Sequence, residues 1–103
     1  MGLSVVLETE SGEELERVDD PSNMLHVLLV GADERSCSLL RFIDWYGDTV
    51  FNHLQIESFL IEWEVLDQQS IRSSEEKALL DRIKKMAQRA QKEPHLYLKF
   101  YGD

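Results

Sequence analysis

Phe42-Ile43-Asp44-Trp45-Tyr46, followed at short range by Phe51, is the stretch of this chain whose residue types could do chemistry. A carboxylate set among aromatic rings loses hydration, and burial there raises its pKa. Carboxyl groups perturbed in that way recur where proteins transfer protons. Asp44 is therefore a candidate general acid or base, with Tyr46 or His53 to assist, in a small enzyme or ligand binder. No second carboxylate is placed by spacing to complete an acid–base pair. The other reading puts Asp44 near the end of a hairpin, bonded to backbone amides or to Tyr46 in solvent. Asp44, Trp45, Tyr46 and Phe51 then form a binding surface for a protein partner, since exposed aromatic clusters mark such sites and Trp and Tyr often anchor them.

Other reactive residue types are present without the spacing that chemistry needs. His53 and Glu57 lie one helical turn apart, as two metal ligands can. The second His of an HExxH pattern is missing, and no third ligand follows at a diagnostic distance. His26 and His95 are isolated. Cys37 precedes an apolar run with no Gly-rich elbow and no basic cluster to lower its pKa, so it reads as a structural thiol. The five glycines are scattered and build no phosphate-cradling loop. Neither a cofactor nor a metal is expected.

The elements that must position Asp44 follow from periodicity and punctuation. Residues 3–8 are short and β-branched and run into the turn cluster Thr9-Glu10-Ser11-Gly12. With residues 13–18 they predict a hairpin whose second strand is acidic and faces water. Asp20 and Pro21 predict a short helix over about 21–30, ended by Gly31. Residues 37–46 read as the longest strand, turning at Gly47-Asp48 into a return strand at 49–51. Alternation in that hairpin puts Phe42, Asp44, Tyr46, Thr49 and Phe51 on one face and Leu39, Arg41, Ile43, Trp45 and Val50 on the other. Asn52 with Gln55, and Ser73 with Glu76, are capping-box pairs that open helices over about 53–69 and 74–92. Pro94 stops the second of these, and residues 95–101 alternate as a closing strand.

The helix over 53–69 carries two apolar stripes. Ile56, Phe59, Leu60, Trp63 and Leu66 fill one broad face, and Leu54, Ile61 and Val65 lie almost opposite. A helix resting only on a sheet needs one stripe. Either the next helix covers the second stripe, sandwiching 53–69 against the sheet, or Leu54, Ile61 and Val65 are left for another protein or a second copy. The helix over 74–92 has one stripe, Leu79, Leu80, Ile83, Met86, Ala87 and Ala90, with Lys77, Lys84, Lys85, Arg89 and Lys92 opposite.

Composition bounds the function classes. A chain of 103 residues, 43% hydrophobic and 30% charged, is expected to fold as one domain over 1–103. The net charge is −9, divided as −12 over residues 1–70 and +3 over 71–103. An anion of this size is repelled by phosphate backbones and anionic lipid, so neither nucleic acid nor membrane is an expected partner. A basic protein would be attracted. One cysteine, a first stretch without signal-peptide character and no apolar run near the roughly 20 residues of a membrane span point to the cytoplasm.

The expected architecture is α+β: a mainly antiparallel sheet of about five strands, in chain order ββα-ββ-αα-β, with a helical hairpin packed on one face. The expected role is a non-enzymatic protein-binding module of the kind that suits an inhibitor, an immunity-type protein or an adaptor, with homodimerisation through the spare helix stripe compatible with it.

Overall fold

Short β-branched and alternating segments near both ends of the chain, with a third at 48–51, build the sheet. The computed structural model describes residues 2–30, 39–68 and 73–102. Strands β1 (Ser4–Thr9) and β2 (Glu14–Asp19) form the first hairpin, β3 is Asp48–Phe51 and β4 is Leu96–Tyr101. The four strands are antiparallel in the order β2-β1-β4-β3. β4 thus lies between β1 and β3. Alternation sends Val5 and Leu7 of β1, Leu96, Leu98 and Phe100 of β4, and Phe51 of β3 to one face, where all are buried.

Helices α2 (His53–Gln68) and α3 (Ser74–Lys92) cover that face. α3 lies over β4, β1 and β2, and α2 over β3 and β4. They run antiparallel: His53 meets the Ala90 carbonyl, and Lys84 pairs with Glu64 at 2.6 Å. Ser73 and Glu76 make a reciprocal capping box at the start of α3. Phe59 sits at the junction of the layers, with ring centroids 5.2 Å from Phe51, 6.0 Å from Phe100 and 5.2 Å from Trp63. The Trp63 indole N–H donates to the Leu80 carbonyl at 3.0 Å, tying α2 to α3 inside the core.

Because α3 rests on the sheet beside α2, it does not sandwich α2. The Ile56, Phe59, Trp63 and Leu66 stripe is buried, while Leu54, Ile61 and Val65 stay exposed at 84%, 63% and 46%. The short helix α1 (Met24–Val30) begins three residues later than the sequence predicts. Asp20 caps it all the same: its carboxylate accepts from the Met24 N–H at 2.9 Å and the Leu25 N–H at 2.6 Å. The expected helix end at Gly31, and Cys37, fall outside the described residues.

The largest departure from expectation lies at 39–46, where the sequence predicts a strand. Residues 37 and 38 of that strand are outside the described part. Leu40–Phe42 is instead a 3-10 turn, and the chain turns again at Trp45 and Tyr46. Among the described residues the sheet therefore has four strands, not five, and β3 takes β4 as its partner. The cause is an unforeseen acceptor. The buried Glu62 carboxylate takes the Leu39 N–H at 3.0 Å and the Leu40 N–H at 3.1 Å, engaging amides a strand would have given to a neighbour. Leu40 and Ile43, three apart, are then both buried, which is helical and not strand spacing.

Replacing Phe59 by Ala removes the ring at the junction of the two layers. A loss of about 3–5 kcal/mol in urea-unfolding stability is expected, against about 1–2 kcal/mol for Trp63→Phe, which trims the buried ring and loses the bond to Leu80. Equal losses would mean that packing at Phe59 carries no special weight.

Candidate functional site

The four residues singled out by sequence do not share a face. Phe51 is 2% exposed and belongs to the core. Its parity follows from pairing with Leu98 of β4, and alternation does not carry through the turn to Phe42, Asp44 or Tyr46. Trp45 is half-buried, edge-on to His26 with centroids 4.8 Å apart. Tyr46 is 84% exposed and Phe42, not among those four, is 62% exposed. The Arg41 guanidinium lies over the Phe42 ring at 4.8 Å. Asp44 is exposed, without the apolar enclosure expected of an acid–base carboxylate.

Asp44 acts on the backbone of the turn. Its Oδ1 accepts the Tyr46 N–H at 2.9 Å, the bond of an Asx turn. The Asp44 N–H donates to Thr49 Oγ1 at 2.9 Å, and the Gly102 N–H to the Gly47 carbonyl at 2.8 Å. Two close approaches depend on glycine. A Cβ on Gly47 would lie 2.7 Å from Asp44 Oδ2, and one on Gly102 would lie 2.4 Å from the Trp45 carbonyl oxygen. The turn that displays Phe42 and Tyr46 is thus held by its own side chains, by β3 and by the end of β4.

A second cluster lies on the sheet face away from the helices, and sequence reading missed it. Glu8, in the inner strand β1, is 5% exposed. Its carboxylate binds Lys99 Nζ at 2.9 Å and accepts a hydrogen bond from the Tyr101 hydroxyl. Burial pushes the Glu8 carboxyl up, but the hydrogen bonds from Tyr101 and Lys99 outweigh it and hold the group below its usual value. The bond to Glu8 raises Lys99; burial first, then the same carboxylate, raises Tyr101. The available signal was Glu8 closing an apolar run, with Tyr97, Lys99 and Tyr101 alternating on one face. Nothing local revealed that the two strands pair.

The remaining candidates are separate. His53 is half-buried, with Nδ1 3.4 Å from the Ala90 carbonyl oxygen. No group of three His, Cys, Asp or Glu among the described residues is arranged to hold a metal. Three cations on the basic face of α3 are engaged by acids: Lys84 with Glu64, Lys85 with Asp81, and Arg89 with Glu16 and Glu93. No helix among the described residues is long and apolar enough to cross a membrane. Beside the exposed α2 stripe runs an open groove of about 520 Å³ between α2 and α3, lined by Leu60, Ile61, Val65, Lys84 and Gln88 among others. No family model, curated protein or solved structure matches the chain.

The Glu8 cluster makes stability depend on pH. A depressed folded-state pKa means that the Glu8 contribution is present above the unfolded carboxylate value and is lost as pH falls through the folded value. Lys99 and Tyr101, both raised, contribute below their unfolded values and lose that contribution as pH rises through the folded ones. Glu8→Gln should lower stability at neutral pH by about 1–3 kcal/mol and flatten the acid limb of a plot of stability against pH. An acid limb parallel to that of wild type would rule Glu8 out as its source.

Proposed function

We propose that the chain works by binding another protein, with no reaction of its own, through the turn from Arg41 to Asp48. One observation carries this reading: Phe42 and Tyr46 stand 62% and 84% exposed on a backbone fixed by hydrogen bonds. Aromatic side chains on an ordered backbone lose little further entropy when a partner covers them. Asp44 serves as the turn's brace, which gives no support to the acid–base alternative. Trp45 supports the turn from below through His26 and the core. Asp44 and Asp48, with the net charge of −9, favour a basic partner. An inhibitor, an immunity-type protein or an adaptor fits that description, and the single Cys37 fits a cytoplasmic setting.

A different observation supports a second reading, a homodimer. Leu54, Ile61 and Val65 form a stripe on α2 that no described element covers, and exposed apolar patches of this kind mark contact surfaces. Ile61→Glu would put a charge in the middle of that stripe. Sedimentation should show a wild-type dimer at millimolar concentration and a monomer for Ile61→Glu. A wild-type monomer at that concentration removes the homodimer.

For the turn, the double variant Phe42→Ser, Tyr46→Ser should unfold within about 0.5 kcal/mol of wild type, as exposed positions do. A photocrosslinking residue at Val50 in the full chain should give a discrete heterodimeric adduct in cell extract, and the double variant should lose it. The same label at Lys85 should give none. An adduct that survives the double substitution would take the contact away from the turn.

A further inference from the structure

The two edges of the sheet are not alike. At the β2 edge the outward backbone belongs to Arg17 and Asp19, because the Asp20 N–H bonds the Leu3 carbonyl and antiparallel pairs alternate from there. That edge is guarded. Arg82 Nη2 donates to the Arg17 carbonyl at 2.9 Å, and the Arg17 side chain is ion-paired with Glu14 and Asp19 along the strand. Charged, paired and capped edges are how sheets avoid recruiting foreign strands.

The β3 edge has no such guard among the described residues. The Gly102-to-Gly47 bond sets the phase of the β3–β4 ladder. Thr49 and Phe51 therefore exchange hydrogen bonds with β4, while Asp48 and Val50 turn N–H and C=O away from the sheet. Val50 is 47% exposed, and Asp48 is exposed with no ion pair among the described residues. The ordered turn bearing Phe42 and Tyr46 leads directly into this strand.

We infer that the β3 edge takes an extended segment of a basic protein as a fifth strand beside the existing four. The inference rests on the reading of the neighbouring turn as a protein contact. Charge decides between occupants. Antiparallel pairing of β3 with its own copy places both Asp48 side chains in one short ladder. Like charges so placed oppose pairing at this edge. A segment carrying Lys or Arg meets Asp48 favourably and still completes the open amides and carbonyls. Two outward residues offer few backbone bonds, so Phe42 and Tyr46 must supply much of the affinity. The segment accordingly needs apolar side chains at alternate positions, with basic residues between or beside them.

The test is selection of a random twelve-residue display library on the full chain. Enriched peptides are expected to be basic, with apolar residues at period two. Their binding should fall at least tenfold on Val50→Pro, which deletes an outward N–H and leaves the β4 ladder intact, and less than twofold on Val50→Thr. Hydrogen exchange at the Asp48 and Val50 amides of wild type should slow at least tenfold when such a peptide is added, a readout that stands even where Val50→Pro fails to fold. Peptides with helical periodicity, acidic peptides, no enrichment, or unprotected Asp48 and Val50 amides would each overturn the inference. So would a wild-type dimer that Val50→Pro dissolves, since the occupant is then a second copy. Binding lost in Phe42→Ser, Tyr46→Ser but kept in Val50→Pro refutes the strand and spares the turn; binding kept in both variants refutes both.

Discussion

Phe59 is the point on which the two layers turn. It touches Phe51 of β3, Phe100 of β4 and Trp63 one helical turn on, so one ring meets two strands and the residue that reaches α3. Trp63 carries the connection further through its bond to the Leu80 carbonyl. With the aromatic core set, α2 can present only one stripe to the sheet, and Leu54, Ile61 and Val65 must face away. Glu62, next to Trp63, then points at the chain entering β3 and binds the amides of Leu39 and Leu40. The geometry of the candidate turn thus follows from the packing of α2.

Much of the fold is written in local signals. The capping boxes mark the starts of α2 and α3, and the single stripe of α3 matches its buried residues. Alternation identifies β4, and the N-terminal hairpin follows from a β-branched run and a turn cluster. What escapes is what local patterns cannot encode. Residues 39–46 have strand composition, yet their amides are claimed by Glu62, far along the chain, and by Asp44 within the turn. Composition gives β propensity, and tertiary acceptors overrule it.

The candidate site was legible in part for the same reason. Tyr46 is exposed and Asp44 bonds a backbone amide, as a turn residue does, while Phe51 is in the core because β3 pairs with a strand about 50 residues later. Trp45 divides its ring between His26 and the core. The Glu8 cluster shows the rule at its extreme, since Glu8 and Tyr101 lie 93 positions apart. An acid within an apolar strand signals that a partner exists and says nothing about where in the chain it lies. Charge separation between the two parts of the sequence has a structural counterpart, with Arg89 of α3 reaching Glu16 of β2 and Lys84 reaching Glu64 of α2.

The place of β4 between β1 and β3 also bears on how the chain is made. Synthesis runs from the first residue, so the N-terminal hairpin, β3 and both long helices leave the ribosome before the strand that joins the sheet. Until residues 96–101 emerge, one side of β1 and one side of β3 have no neighbour, and the aromatic core lacks Phe100. Contacts so distant in sequence form slowly once the whole chain is available. The nascent protein therefore passes through an interval with two unsatisfied strands and an open apolar face. During that interval its own core cannot shield those edges, and exposure of this kind is what makes incomplete chains prone to aggregate.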